Sequence, residues 1–165
     1  MVKVKIFNDG INKLPSYAKE HDAGFDLMAD FSQIFENDAF KGNGKYYYED
    51  RSLIIFRGGR VLIPTLNHVA IPVGYEIQVR PRSGLALKYG ITILNTPGTI
   101  DSSYRDGIGI ILFNNGEDDF IIRQGDRIAQ GVLNKIEEVE WLKVGSIEEL
   151  GETERGMGGF GHSGV

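Results

Sequence analysis

Glycine punctuation limits what this chain can fold into more than any other feature. Twenty-two glycines are spread through 165 residues, well above the usual share of about 7%. They separate short apolar runs at 2–7, 52–56, 60–64, 69–72, 75–79, 108–113, 120–123 and 127–136, rich in Val, Ile, Phe and Tyr. Turn pairs such as Asp9-Gly10, Gly58-Gly59 and Asn115-Gly116 lie between them. Short β-branched and aromatic runs bounded by turn residues have the length of strands, and many in succession predict an all-β sandwich or barrel. Tyr75-Glu76-Ile77-Gln78-Val79-Arg80 alternates apolar and polar side chains, the mark of a strand with one buried face.

Helical signal is thin. Ser83 can cap a short helix over 83–89 that Gly90 stops, and 146–150 can make one further turn. Residues 31–51 hold no steady period and read as a long hairpin or surface excursion. The length suits one domain, 1–154. The last eleven residues, 155–165, carry five glycines and one aromatic, so they predict a flexible arm rather than a core element.

The formal net charge of -5 supplies no global field for nucleic acid or an anionic membrane, so neither is an expected partner. A polyanionic ligand must be met by local Arg and backbone N–H groups, with or without a metal ion. The chain has no cysteine, which removes disulfides, thiolate nucleophiles and Cys-based zinc sites. The opening residues lack the apolar run of a secretory leader, and no run has the length of a membrane span. The expected setting is the cytosol, or the host cytoplasm for a viral or phage protein.

Five segments carry polar groups suited to chemistry. In AGFDLMA (23–29), Asp26 sits between apolar strand residues and faces away from them, where it can hold an Arg or a metal-bound water; a solvated strand charge is the alternative. In PRSGLALKYGI (81–91), Arg82, Ser83 and Gly84 sit at a strand-to-helix junction whose free N–H groups suit an anion. A plain helix cap would look the same. In NTPGTIDSSYRDGIGIILFN (95–114), Asp101 can orient a water as general base. Tyr104 can lay its ring on a sugar, and the backbone of Gly98 and Ile100 can pair with a base edge. Asp101 capping its own turn is the alternative. In GDRIAQ (125–130), Arg127 and Gln130 put polar ends on a strand, and Gln130 can donate to phosphate or hold a metal water. RGMGGFGHSG (155–164) contains G-x-G-x-x-G, but too few residues follow it for the helix of a dinucleotide fold. As a lid it would offer Arg155 to phosphate and Phe160 to a base.

Taken in order, these five segments resemble the five motifs of the trimeric dUTPases, from about residue 23 to 164. The resemblance implies a jelly-roll-like β-barrel of the β-clip type with one short helix, a homotrimer with active sites at subunit interfaces, dUTP as substrate and Mg²⁺ on the triphosphate. It implies that Asp101 activates the attacking water and that Tyr104 packs on deoxyribose and excludes a 2′-hydroxyl. Asn95 with the backbone of Gly98 and Ile100 would read uracil. Arg82, Ser83, Gly84 and Gln130 would contact phosphate. Asp26 and Gln130 would touch the metal through water. Arg155, Phe160, Gly161 and Ser163 would close the site from the arm. Two departures stand out. Residues 31–51 exceed the usual spacing between the first two motifs, leaving room for a hairpin that meets an unknown protein partner. His162 occupies a position where Ser is common, either donating to phosphate or facing solvent.

Two other readings remain. A dCTP deaminase of the same fold would need a glutamate near the 95–104 hairpin, and no Glu lies between Glu76 and Glu117. A non-catalytic nucleotide sensor would not need Asp101.

Overall fold

The computed structural model describes residues 1–35 and 40–158. The described residues form twelve strands and one α-helix: β1 (Lys5–Asn8), β2 (Phe25–Met28), β3 (Lys41–Gly42), β4 (Tyr46–Glu49), β5 (Ser52–Ile55), β6 (Arg60–Ala70), β7 (Tyr75–Arg80), α1 (Ser83–Tyr89), β8 (Ile91–Ile93), β9 (Gly98–Ile100), β10 (Gly107–Asn114), β11 (Phe120–Arg123) and β12 (Arg127–Lys135). A 3-10 turn follows at Glu148–Leu150. Every strand pairing is antiparallel. One sheet runs β1-β6-β10-β8 with β3 also on β6, a second runs β11-β5-β4, and the third runs β2-β12-β7-β9. The three close on one apolar core that includes Leu27, Leu53, Ile63, Ile93, Ile110, Leu112, Ile122 and Ile128. This is the all-β arrangement that the turn-punctuated sequence predicts, in the jelly-roll-like form that the resemblance implies. Among the described residues no helix is long and apolar enough to cross a membrane.

Strand alternation explains which side chains go inside. Along β10 and β6 every second residue is buried, as a pleat with one face on a core requires. The run at 60–64 and the first half of the run at 69–72 prove to be one strand, β6, which ends at Ala70. The ladder with β10 shifts register between Gly107, opposite His68, and Gly109, opposite Pro64. The extra residues bulge around Leu66, which takes a positive φ of 53°. Buried Thr65 and Asn67 satisfy the interrupted ladder: Thr65 Oγ1 donates to the Ile108 carbonyl at 2.8 Å, and Asn67 Nδ2 donates to the Thr65 carbonyl at 3.1 Å. Local sequence carries no warning of this bulge, which is why the strand looks broken in one dimension.

The described part of 31–51 is mostly exposed but sends three aromatic side chains into the core. Phe31, Phe40 and Tyr48 are buried, with ring centroids 5.1–5.8 Å apart. The aromatic residues bury large areas and therefore pull the segment onto the core. A hairpin is present, but it joins β4 to β5 across Asp50 and Arg51, both at positive φ, as a tight two-residue loop requires. Phe35 stays exposed.

The helix spans 83–89 as expected, but Ser83 does not cap it. Arg82 holds the cap position with extended backbone (φ -90°, ψ 126°) and no side-chain cap bond, so Ser83 is the first helical residue. Gly90 ends the helix with φ 65°. Beyond β12 the chain runs on without a strand among residues 136–158, and Trp141 there is 89% exposed.

Asp30, fully buried at the end of β2, ties three segments together. Its carboxylate accepts from the backbone N–H groups of Ile11, Asn12 and Ser32, from Ser32 Oγ and from Gln124 Nε2, at 2.6–3.2 Å. Burial pushes its pKa up, but the hydrogen bonds from Ser32, Gln124 and Asn12 outweigh it and the net shift is downward. A carboxyl whose folded pKa is depressed adds stability that is complete above its ordinary pKa and is lost as pH falls through the folded value. Asp30→Asn should therefore lower the unfolding free energy at neutral pH by about 2–3 kcal/mol, the scale of hydrogen bonds to a charged group. Urea unfolding of parent and variant should differ at neutral pH, and the gap should narrow as pH falls through the depressed folded pKa of Asp30. Equal stability at neutral pH would remove Asp30 from this anchoring role.

Candidate active site

Strand β12 sits between β2 and β7, with Gln130 opposite Asp26 on one side and Arg80 on the other. A register shift between Arg127 and Ala129 turns Arg127 toward β2, where its Nη1 donates to Asp26 Oδ2 at 3.0 Å. Arg82, between β7 and α1, puts Nε 3.2 Å from Asp26 Oδ1. Its Nη1 donates to the Arg127 carbonyl at 3.0 Å. Each carboxylate oxygen thus holds one guanidinium. The Asp26 and Arg82 side chains are only 19% and 27% exposed, so solvent screens this pair less than a surface pair. The strand charge expected at Asp26 is a clamp on two arginines.

These side chains line a cavity of about 520 Å³, with Ser83, Gly84, Lys88 and Gln130 among its walls. Arg82, Lys88 and Arg127 face only two carboxylates there, Asp22 and Asp26. The cavity is therefore locally cationic in a chain of net charge -5, which suits an anion. The first helical bonds run from Leu85 and Ala86 to the Arg82 carbonyl, which leaves the Ser83 and Gly84 N–H groups without intrahelical partners. Nothing lies within 4 Å of the Cβ position of Gly84, so a ligand oxygen can approach its backbone. Gln130 Nε2 donates to the Pro81 carbonyl at 2.8 Å. Its Oε1 lies 2.7 Å from the Cβ position of Gly24, so a side chain at 24 would collide with it.

The second group of sequence-predicted residues lies elsewhere. Gly98 pairs with Val79 and Ile100 with Ile77, which makes β9 the edge strand beside β7. Asn95 Nδ2 is 3.3 Å from the Cβ position of Gly98. Asp101 follows β9 and is exposed. The Tyr104 N–H donates to the Asp101 carbonyl at 3.1 Å, and the Tyr104 hydroxyl donates to the Gly107 carbonyl at 2.9 Å. Burial raises the Tyr104 pKa, and the charge of Asp106 adds to this, so the phenol stays protonated at neutral pH. Three strand spacings separate β9 from β2, roughly 14 Å. Asp101 stands four residues further along β9 than the row holding Asp26, Gln130 and Arg80, a further offset of roughly 13 Å. One chain therefore brings Asp26, Arg82, Ser83, Gly84 and Gln130 together around the cavity, which none of Asn95, Gly98, Ile100, Asp101 and Tyr104 lines.

From the arm, Arg155 Nε donates to the Gly158 carbonyl at 2.9 Å. Phe160, Gly161, His162 and Ser163 lie outside the described residues. Among the described residues no three His, Asp or Glu side chains gather as a metal cage. Oxygen acceptors at the cavity wall include the Asp22 and Asp26 carboxylates and the Gln130 side-chain oxygen. Sequence reasoning gave no site role to Arg127, Lys88 or Asp22. Lys88 was accessible in principle, because it stands four residues after Gly84 and so shares its helix face. Asp22 had no local signal.

A cationic cavity on an antiparallel barrel, with a polar hairpin at the far edge of the same sheet, suits an anionic ligand. The comparisons narrow the class. The dUTPase family model matches residues 47–164. The deoxyuridine 5'-triphosphate nucleotidohydrolase of Fusobacterium nucleatum is 45% identical over 99% of this chain and 97% of its own length. A variant of the Staphylococcus bacteriophage 80alpha dUTPase, solved with dUpNHpp, superposes with a TM-score of 0.78 at 22% identity, covering 99% of both chains. A variant of the dUTPase from phage phi11 of S. aureus, described with a structural Mg(II) ion, gives 0.70 at 21% identity over 88% of this chain and 99% of that one. The chain belongs to the dUTPase family.

Gly24→Ala tests the packing at the cavity wall. The atom it meets is the end of a flexible side chain, so the fold should hold to within about 1 kcal/mol while Gln130 leaves the Pro81 carbonyl. The Gln130 side-chain amide resonances should move toward free-solvent positions. Unmoved resonances would show that the wall has room at position 24.

Proposed function

We propose that this protein hydrolyses dUTP to dUMP and diphosphate. Alongside family membership, the observation that carries the reading is the Arg82–Asp26–Arg127 clamp, which fixes two guanidinium groups at a cationic cavity. In this reading Arg82, Gln130 and the backbone of Ser83 and Gly84 hold the triphosphate. Asp101 takes the proton of a water as its oxygen bonds to the α-phosphorus, and the bond to the bridging oxygen breaks to release diphosphate. Tyr104 packs against deoxyribose where a 2′-hydroxyl would collide. Asn95 and the backbone of Gly98 and Ile100 read uracil. The last two are two residues apart, so their polar groups leave the same side of an edge strand. Arg155, Phe160, Gly161 and Ser163 close the site from the arm. Mg²⁺ bound to the triphosphate would neutralise charge and polarise the α-phosphorus, with Asp26 and Gln130 meeting its waters. The dissolved nucleotide substrate suits a cytosolic enzyme.

Diphosphate release from dUTP, dCTP, dTTP and UTP in parallel tests the substrate: turnover should be confined to dUTP. Asp101→Asn should cut kcat at least about 10²-fold, the scale for losing a general base. A fully active variant would transfer that role to another group.

The offset between Asp101 and the cavity within one chain supports a homotrimer whose sites combine neighbouring subunits. Asp101→Asn with its arm intact, and a chain ending at Glu154, should each be inactive alone. Refolded together they should regain activity, because some mixed sites hold both Asp101 and Phe160. Activity no greater than the sum of the two separate preparations would put Asp101 and the arm of one chain in the same site.

A further inference from the structure

His68 lies outside all five motifs, on β6 after the Leu66 bulge. Its Nδ1 is 3.2 Å from the backbone carbonyl of Arg105. A carbonyl oxygen only accepts, so Nδ1 carries the hydrogen. The ring packs against Phe7, with centroids 5.9 Å apart, and stands opposite Gly107 in the β6–β10 ladder. A Cβ placed on Gly107 would sit 3.5 Å from His68 Cε1, so the imidazole lies directly over the root of the 101–106 turn. The other side-chain hydrogen bonds described for that turn are local. Arg105 Nη1 donates to the Ser102 and Tyr104 carbonyls, both at 2.7 Å, and the Tyr104 hydroxyl reaches only Gly107. Among these contacts, the His68 bond alone reaches the turn from another strand.

We propose that His68 is a positioning residue: through the Arg105 carbonyl it fixes the turn that presents Asp101 and Tyr104, and so governs both the rate and the rejection of ribonucleotides. The β6 bulge is what makes this possible. The extra residues in that strand set His68 opposite Gly107, and Thr65 and Asn67 hold the bulge from inside. The inference rests on the dUTP hydrolysis proposed above.

His68→Phe keeps a ring against Phe7 and over Gly107 but removes the donor. His68→Asn puts an amide N–H near the place of Nδ1, and His68→Gln puts one too far out. The Phe and Gln variants should lose about tenfold in kcat and in the ratio of kcat/KM for dUTP over UTP, the effect of one lost hydrogen bond. The Asn variant should recover most of both, at unchanged unfolding temperature. Hydrogen exchange of the peptide covering 101–106 should quicken in the Phe and Gln variants, and ¹⁵N NMR of the parent should show the Nδ1-protonated tautomer. Parent-like kinetics in His68→Phe, an Asn variant as impaired as Phe, or an Nε2-protonated parent would each overturn the proposal. His68→Ala serves in place of Phe if the latter does not fold. If the parent itself fails to cleave dUTP, the substrate reading fails; altered exchange at 101–106 would still report whether His68 positions the turn.

Discussion

Strand β12 is gripped on both edges, and the cavity depends on that grip. Pairing with β2 sets Asp26 beside Gln130, while pairing with β7 sets Arg80 beside Gln130 and brings Pro81 and Arg82 to the same end of the sheet. The register shift before Ala129 then directs Arg127 at Asp26. Displacement of either neighbour would undo the double ion pair, because Arg127 comes from β12 itself, Asp26 from β2 and Arg82 from the segment that follows β7. Upstream, the buried Asp30 network ties the end of β2 to Gln124 in the turn that leads into β12, so the acid that shapes the barrel also sets where the site begins.

A negatively charged protein that takes a triphosphate must overcome its own field. Here the solution is local: three cationic side chains, open helix N–H groups and two carboxylates share one cavity. Asp26 costs part of that positive potential, yet it holds Arg82 and Arg127 in fixed places, and preorganised charge acts without first reordering. A substrate already carrying a divalent cation would also meet less long-range repulsion than the bare anion.

The sequence exposed those parts of the fold that local chemistry governs. The alternation in β7, the 83–89 helix and its Gly90 stop, and strand β11 stand where the pattern predicts. Of the polar residues singled out, Arg82 to Gly84 and Asp101 sit at strand ends and turns, whereas Asp26 and Gln130 lie within strands. What could not be read depends on partners distant in sequence. Runs at 60–64 and 69–72 join only because Thr65 and Asn67 stabilise a bulge against β10. Phe31, Phe40 and Tyr48 lack a period because they converge from a loop and a strand. Arg127 gains its meaning from Asp26, a hundred residues away, and His68 from the Arg105 carbonyl. Ser83 missed the cap by one position, since the helix starts on the serine itself.

The lone tryptophan offers a practical consequence. Trp141 stands almost fully in water beyond β12, whereas several tyrosines lie in the barrel. Indole emission excited at the red edge of its absorption therefore reports on the segment after β12 and hardly on the core. Its colour and quenching by small solutes form a built-in optical readout of whatever surface that segment meets, with no added label.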